Sequence, residues 1–174
     1  CSSDLLNAGH EATVNGSSLG LRALFQKPDQ LKALKEAVAQ GNTSLLKTGV
    51  DEMLRYETPL PMFERYVLED IDFNGVKLER GMEVALMYIS GNRDEARFTQ
   101  PNELILSRED NPLLTFGLGT HYCLGAPLAR REIAIVLAAV LERFDDLALA
   151  GPVEWGRSNK HTSLRHVPVS FRAR

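Results

Sequence analysis

The sequence has little cysteine and no excess of positive charge. Its two cysteines stand at positions 1 and 123 of 174 residues, and 20 Lys and Arg face 23 Asp and Glu. Two cysteines so placed exclude the disulfide framework of a small secreted domain. A net charge of −3 lacks the basic footprint of a nucleic-acid binder. The longest apolar run, residues 133–141, is too short to span a bilayer. No segment has the basic-then-apolar layout of a signal peptide. Repeats, low-complexity tracts and linkers are absent too. What is left is a soluble, cytoplasmic globular chain, expected to bind neither nucleic acid nor membrane. Its 44% hydrophobic content can build the core of one domain. An initiator methionine is also lacking, and Cys1-Ser2-Ser3-Asp4-Leu5-Leu6 already reads as helix. The expectation is a piece of something longer.

Apolar spacing predicts a first helix over residues 3–26, interrupted by Gly9 and Gly16. Each glycine costs about 1 kcal/mol against alanine inside a helix. That cost points to something approaching the backbone closely. A second helix is expected over residues 28–39, with Pro28 at its start and Gly41 just past its end. A third covers 45–56 and is closed by Thr58-Pro59. Residues 62–88 then read as strands, with Asn74-Gly75 as a hairpin turn and Arg80-Gly81 as a second turn. Short helical and loop segments follow over 89–115. Residues 127–144 carry one apolar stripe and form the best helix in the sequence. A last strand is expected at 167–171, with Pro168 placing it at a sheet edge. The fold class is α+β, mostly α, with a small antiparallel sheet.

The informative stretch is Phe116-Gly117-Leu118-Gly119-Thr120-His121-Tyr122-Cys123-Leu124-Gly125, which runs into the 127–144 helix. A glycine-rich loop here presents one cysteine just before a helix N-terminus. Such a position favours an anionic sulfur. The glycines let backbone come close to a flat partner. Phe116 can pack beside the sulfur, and His121 can donate to an anion at the partner's edge. Taken alone, these residues also fit a buried small hydrophobe, part of a zinc site or a Cys–His nucleophile.

This stretch resembles the haem-binding loop of the cytochrome P450 family, the haem-thiolate monooxygenases. The family pattern is Phe-x-x-Gly-x-(His/Arg)-x-Cys-x-Gly, and Phe116, Gly119, His121, Cys123 and Gly125 fill it. The continuation Ala126-Pro127-Leu128-Ala129-Arg130-Arg131-Glu132 is similar to the bacterial soluble branch. Glu52-Met53-Leu54-Arg55 resembles the family's Glu-x-x-Arg helix, whose two side chains meet on one face. Arg108, after Pro101-x-x-Leu104-x-Leu106, stands where the family places a third member of that ion pair. Arg65 stands where it places a haem-propionate arginine. Ala8-Gly9-His10-Glu11-Ala12-Thr13 resembles the oxygen-activation stretch, (Ala/Gly)-Gly-x-(Asp/Glu)-Thr. Glu11 matches the acid. Ala12 departs from the usual threonine, and Thr13 lies about 100° further round the helix.

The resemblance implies the C-terminal half of a P450 domain over all of residues 1–174, with the N-terminal portion absent. It implies haem b as cofactor, Cys123 as the iron ligand, and Arg65, Phe116, Gly119, His121 and Gly125 around the haem. Glu11, Ala12 and Thr13 become the catalytic stretch. The implied reaction inserts one oxygen atom from O2 into a small organic substrate. Electrons would come from a ferredoxin- or flavodoxin-type donor, with Arg130 and Arg131 as candidates to dock it. Pocket-lining candidates are Asn7, Ala8, Ala12, residues 60–63 and residues 159–163. The alternative is a truncated remnant that binds haem, or serves as a scaffold, without oxygenase activity.

Overall fold

A computed structural model describes residues 2–158 and 160–174; Cys1 and Asn159 lie outside the described residues. Three long helices open the chain: α1 (Ser2–Phe25), α2 (Pro28–Ala39) and α3 (Thr43–Tyr56). Pro28 begins α2, where its missing N–H costs nothing. α3 starts two residues earlier than the apolar spacing predicts. The reason is a cap: the Asn42 side chain accepts from the Ser44 amide at 3.0 Å.

Strands β1 (Met62–Tyr66), β2 (Ile71–Phe73), β3 (Val76–Leu78) and β4 (Glu83–Met87) follow. β2 and β3 form the expected hairpin, and Asn74 and Gly75 both take positive φ at its turn. β4 turns back across β1, so that Met62 faces Met87 and Tyr66 faces Glu83. A one-turn helix α4 (Tyr88–Gly91) ends the region. After the long loop, α5 (Ala126–Arg143) begins at the predicted place. Phe144 does not close that helix as predicted. It opens β5 (Phe144–Leu149), which pairs with β8 (Val169–Ala173) across a bulge. A further short pair, β6 (Glu154–Trp155) with β7 (Leu164–His166), lies between them. The sheet content is therefore four separate antiparallel pairs among the described residues.

The core forms where α1, α3 and α5 meet. Leu24, Met53, Leu54, Leu106, Ile133, Leu137 and Leu141 are all buried there. Gly16 explains itself at this crossing. A Cβ on it would lie 3.2 Å from both the Ile133 and Leu54 side chains. Gly20 does the same against Met53. Gly9 differs: nothing lies within 4 Å of the position its Cβ would take. None of the described helices is long and apolar enough to cross a membrane.

Candidate functional site

The site is founded on α3. Glu52 and Arg55 lie one turn apart and are both 0% exposed. Arg55 donates to both Glu52 carboxylate oxygens, from Nε at 2.8 Å and from Nη2 at 2.9 Å. Arg108 Nε adds a third bond at 3.0 Å, the Ile105 amide a fourth at 2.8 Å and Asn111 Nδ2 a fifth at 3.3 Å. The rest of the Arg55 fork is used on the carbonyls of Asn92, Pro101 and Glu103. A buried ion pair needs its leftover donors and acceptors satisfied to offset the loss of water, and this one has them. The sequence-predicted trio is thus brought together.

Asn92 carries this node toward the cysteine loop, and sequence reasoning missed it. It is fully buried. Its carbonyl accepts from Arg55 at 2.8 Å, and its side chain accepts from the Leu114 amide at 2.7 Å. Its amide nitrogen donates to the hydroxyls of Thr58 and Thr115. Residues 114 and 115 are therefore fixed just before Phe116. Nothing in a lone asparagine signals this, because its partners lie 22 or more residues away.

The loop itself turns on Gly117 and Gly119, with φ of +73° and +64°. Side chains seldom adopt that region, so the glycines are required by the path. A single 3₁₀ turn, Gly119–His121, follows. The Cys123 amide then donates back to the Phe116 carbonyl at 2.8 Å and closes the loop. α5 starts with no side-chain cap on its free amides. Cys123, Gly119 and His121 are exposed, Gly125 is half-buried and Phe116 is buried. Leu118 and Leu124, on either side of the thiol, are 69% and 89% exposed. This cysteine is therefore no buried hydrophobe. No group of three or more His, Cys, Asp or Glu able to hold a metal ion forms among the described residues.

Arg130, one of the two donor-docking candidates, is drawn into the fold. Its Nε donates to Asp51 at 2.6 Å and its Nη1 to the Tyr122 hydroxyl at 3.1 Å. Burial works to lower its pKa, but the bonds to Tyr122 and Asp51 outweigh this and raise it. It is committed to the fold, and only Arg131 of the two remains exposed at the helix start.

On α1, Glu11 is exposed while Ala12 and Thr13 are half-buried. An open groove of about 460 Å³ runs between α1 and α5. Gly9 and Thr13 line it, with Leu128 opposite, whereas Glu11 and Ala12 do not. Glu11 instead meets the tail: its carboxylate lies 3.6 Å from His161 Nδ1. The neighbouring Thr162 amide donates to the Pro59 carbonyl at 2.9 Å. The tail turn thus touches α1 at Glu11 and the segment before β1 at Pro59, with Asn159 outside the described residues. Asn15, one turn past Glu11, is buried, and its amide nitrogen has no hydrogen-bond partner. Arg65 is half-buried and bonds the Glu64 carbonyl at 2.7 Å.

The family model described as Cytochrome P450 matches residues 1–151. The chain belongs to the cytochrome P450 family. It is 44% identical over 166 residues to the biotin biosynthesis cytochrome P450 of Bacillus subtilis, covering 94% of this chain and 40% of that protein. It is 38% identical over 172 residues to the cytochrome P450 monooxygenase PikC of Streptomyces venezuelae, covering 97% of this chain and 40% of that one. Among solved structures, CYP109Q5 from Chondromyces apiculatus superposes with a TM-score of 0.92 at 32% identity. The match covers 99% of this chain and 44% of the other. The chain therefore spans about two fifths of the length of the P450 relatives it matches.

P450 membership implies a haem iron cofactor, and the residues present fit one. The donor set is a single exposed thiol that belongs to no group of three or more metal-ligating side chains among the described residues. The backbone at Gly119 also faces open space, with nothing within 4 Å of a Cβ there.

Proposed function

We propose that this chain is the thiolate-bearing part of a P450 monooxygenase that inserts one oxygen atom from O2 into a small organic molecule. The observation that supports this best is the exposed Cys123 thiol. It sits on a glycine loop at an uncapped helix N-terminus, backed by the buried Glu52 node. Haem b, when bound, supplies the oxygen activation, and a thiolate ligand favours O–O cleavage.

The chain's own residues do the rest. Cys123 is the iron ligand. Phe116 packs beside it, and Gly119 and Gly125 leave room for a flat macrocycle. His121 and Arg65 supply donors for the propionate carboxylates. Glu11, exposed on α1, is the acid of the oxygen-activation stretch. Ala12 has no hydroxyl to take part, and Thr13, which lines the α1–α5 groove instead, does not replace it. Asn7, Ala8 and Ala12 of α1, residues 60–63 and the tail turn wall the substrate in this reading. The enzyme is cytoplasmic and receives electrons from a ferredoxin- or flavodoxin-type protein, with Arg131 exposed for docking it.

The ferrous carbonyl complex of the native protein is expected to show the red-shifted Soret band of thiolate ligation. Cys123→Ser should abolish that band, whereas Cys1→Ser should keep it. A Cys123→Ser protein with the unchanged band would overturn the assignment.

A further inference from the structure

At Arg130, on α5, contacts from α3 and from both arms of the cysteine loop meet. Its Nε bonds Asp51 on α3, and its Nη1 bonds the Tyr122 hydroxyl. Its guanidinium carbon stands over the Phe116 ring, 4.3 Å from the ring centre. Phe116 and Tyr122 are also the residues that fix Cys123. The Cys123 amide donates to the Phe116 carbonyl at 2.8 Å, and Tyr122 is its chain neighbour. The two rings lie 6.4 Å apart, bracketing the loop. Between them the backbone passes through two glycines with positive φ. Glycine resists bending least of all residues, so this segment depends on what grips its ends.

We propose that Arg130 is a positioning residue for Cys123, strapping both arms of the cysteine loop to α3. The proposal rests on the reading of Cys123 as the iron ligand. The chemistry selects arginine. A planar guanidinium offers a face to an aromatic ring and a fork of donors in its own plane at the same time. A lysine ammonium is a point charge and cannot do both. Asp51 balances the charge, so what Arg130 contributes to the sulfur is geometry more than field. Asp51 and Glu52 are adjacent on α3, so one turn of helix anchors both the buried node and the strap.

The test uses amide hydrogen exchange at Cys123 in the haem-free native protein, and the rate at which the haem-loaded protein loses its red-shifted carbonyl band. In Arg130→Gln, loss of the strap is expected to speed Cys123 exchange about tenfold, as a local opening. The carbonyl band should decay faster by a similar factor. Tyr122→Phe, which removes one arm, should give a smaller change of the same sign. Arg130→Lys is expected to keep the global melting temperature but not restore Cys123 protection. Unchanged Cys123 exchange in Arg130→Gln, or full rescue by Arg130→Lys, would overturn the strap. The control separates the two readings. If Cys123→Ser retains the thiolate band, the ligand assignment fails, while the exchange measurement still judges the strap.

Discussion

Asp51 and Glu52 are neighbours on α3, yet they serve opposite kinds of structure. Glu52 faces inward to a closed node. Its carboxylate takes five donors, and neither it nor Arg55 touches solvent. Asp51 faces the cysteine loop through Arg130. That loop is open on its other side, with an exposed thiol between two exposed leucines. The closed region satisfies all of its polar atoms but one, the Asn111 side-chain oxygen. The open region turns a thiol and apolar surface outward, as a site for a flat apolar group would. Stability and function are therefore assigned to adjacent residues of one helix turn, and substitutions can separate them.

The largest effect is expected at the closed end. Glu52→Ala leaves Arg55 buried with no carboxylate and strands Arg108 beside it. Breaking a buried pair by removing one partner costs roughly 3–5 kcal/mol, a large part of a domain's stability. The expected result is loss of folding or of haem uptake, read by thermal unfolding and haem content. A well-folded Glu52→Ala protein with normal haem would show that the node is not what holds α3 to the 101–111 segment.

The same division governs what could be read from the sequence. The helices α1, α2, α3 and α5 follow from apolar spacing and from the punctuation of Pro28, Gly41 and Pro59. The cysteine loop follows from its glycines, and the Glu52–Arg55–Arg108 trio from the family resemblance. What escaped was long-range. β5 looks like the end of a helix, because Phe144 continues the α5 stripe and only its pairing with Ala173 makes it strand. β6 and β7 are too short to show alternation. Asn92 and Tyr122 carry no pattern at all, since each acts through partners brought in by the fold. Arg130 was legible as a charge, but its partner Asp51 lies 79 residues earlier.

The next effect belongs to the open end and should leave stability alone. Ala12→Thr adds a hydroxyl to α1 beside Glu11, at a half-buried position. A well-placed proton-transfer group is worth about 10²–10⁴-fold, so on the proposed reading its absence should make oxygen reduction prone to release hydrogen peroxide. On a substrate without a hydroxyl of its own, the native enzyme should couple poorly. Ala12→Thr should then lower the peroxide released per NAD(P)H consumed, with the melting temperature unchanged. Product, peroxide and cofactor oxidation must be measured together. Tight coupling in the native enzyme on such a substrate, and no change in Ala12→Thr, would mean that protons arrive by a route not involving this turn of α1.

The smallest effect sharpens the contrast with a charge cluster that is half-buried at its centre and open to solvent through its arginines. Asp145 on β5 is bonded by Arg174 and Lys35, with Arg172 also in reach. The bonds from Arg174 and then Lys35 hold its carboxyl far below the usual carboxylate range. A depressed folded-state value means that the stabilisation is complete above the unfolded value, about 3.9. It is lost only as the pH falls further, toward the folded value. Asp145→Asn should therefore flatten the acid limb of the stability profile below about pH 4. The stability it removes is greatest near neutrality, where the stabilisation is complete, but it should stay well below the loss in Glu52→Ala, since Arg172 and Arg174 are exposed and such pairs are screened and cost side-chain entropy. Melting curves of both proteins from pH 2 to pH 7, at low and high salt, read this directly. Added salt should shrink the difference between the Asp145 proteins and leave the loss in Glu52→Ala almost untouched, because a buried pair is screened far less than an exposed one. If Asp145→Asn instead destabilises the protein at pH 7 as much as Glu52→Ala does, burial is not what separates the two networks. The strength of the node would then lie in the number of donors around a carboxylate, wherever it sits.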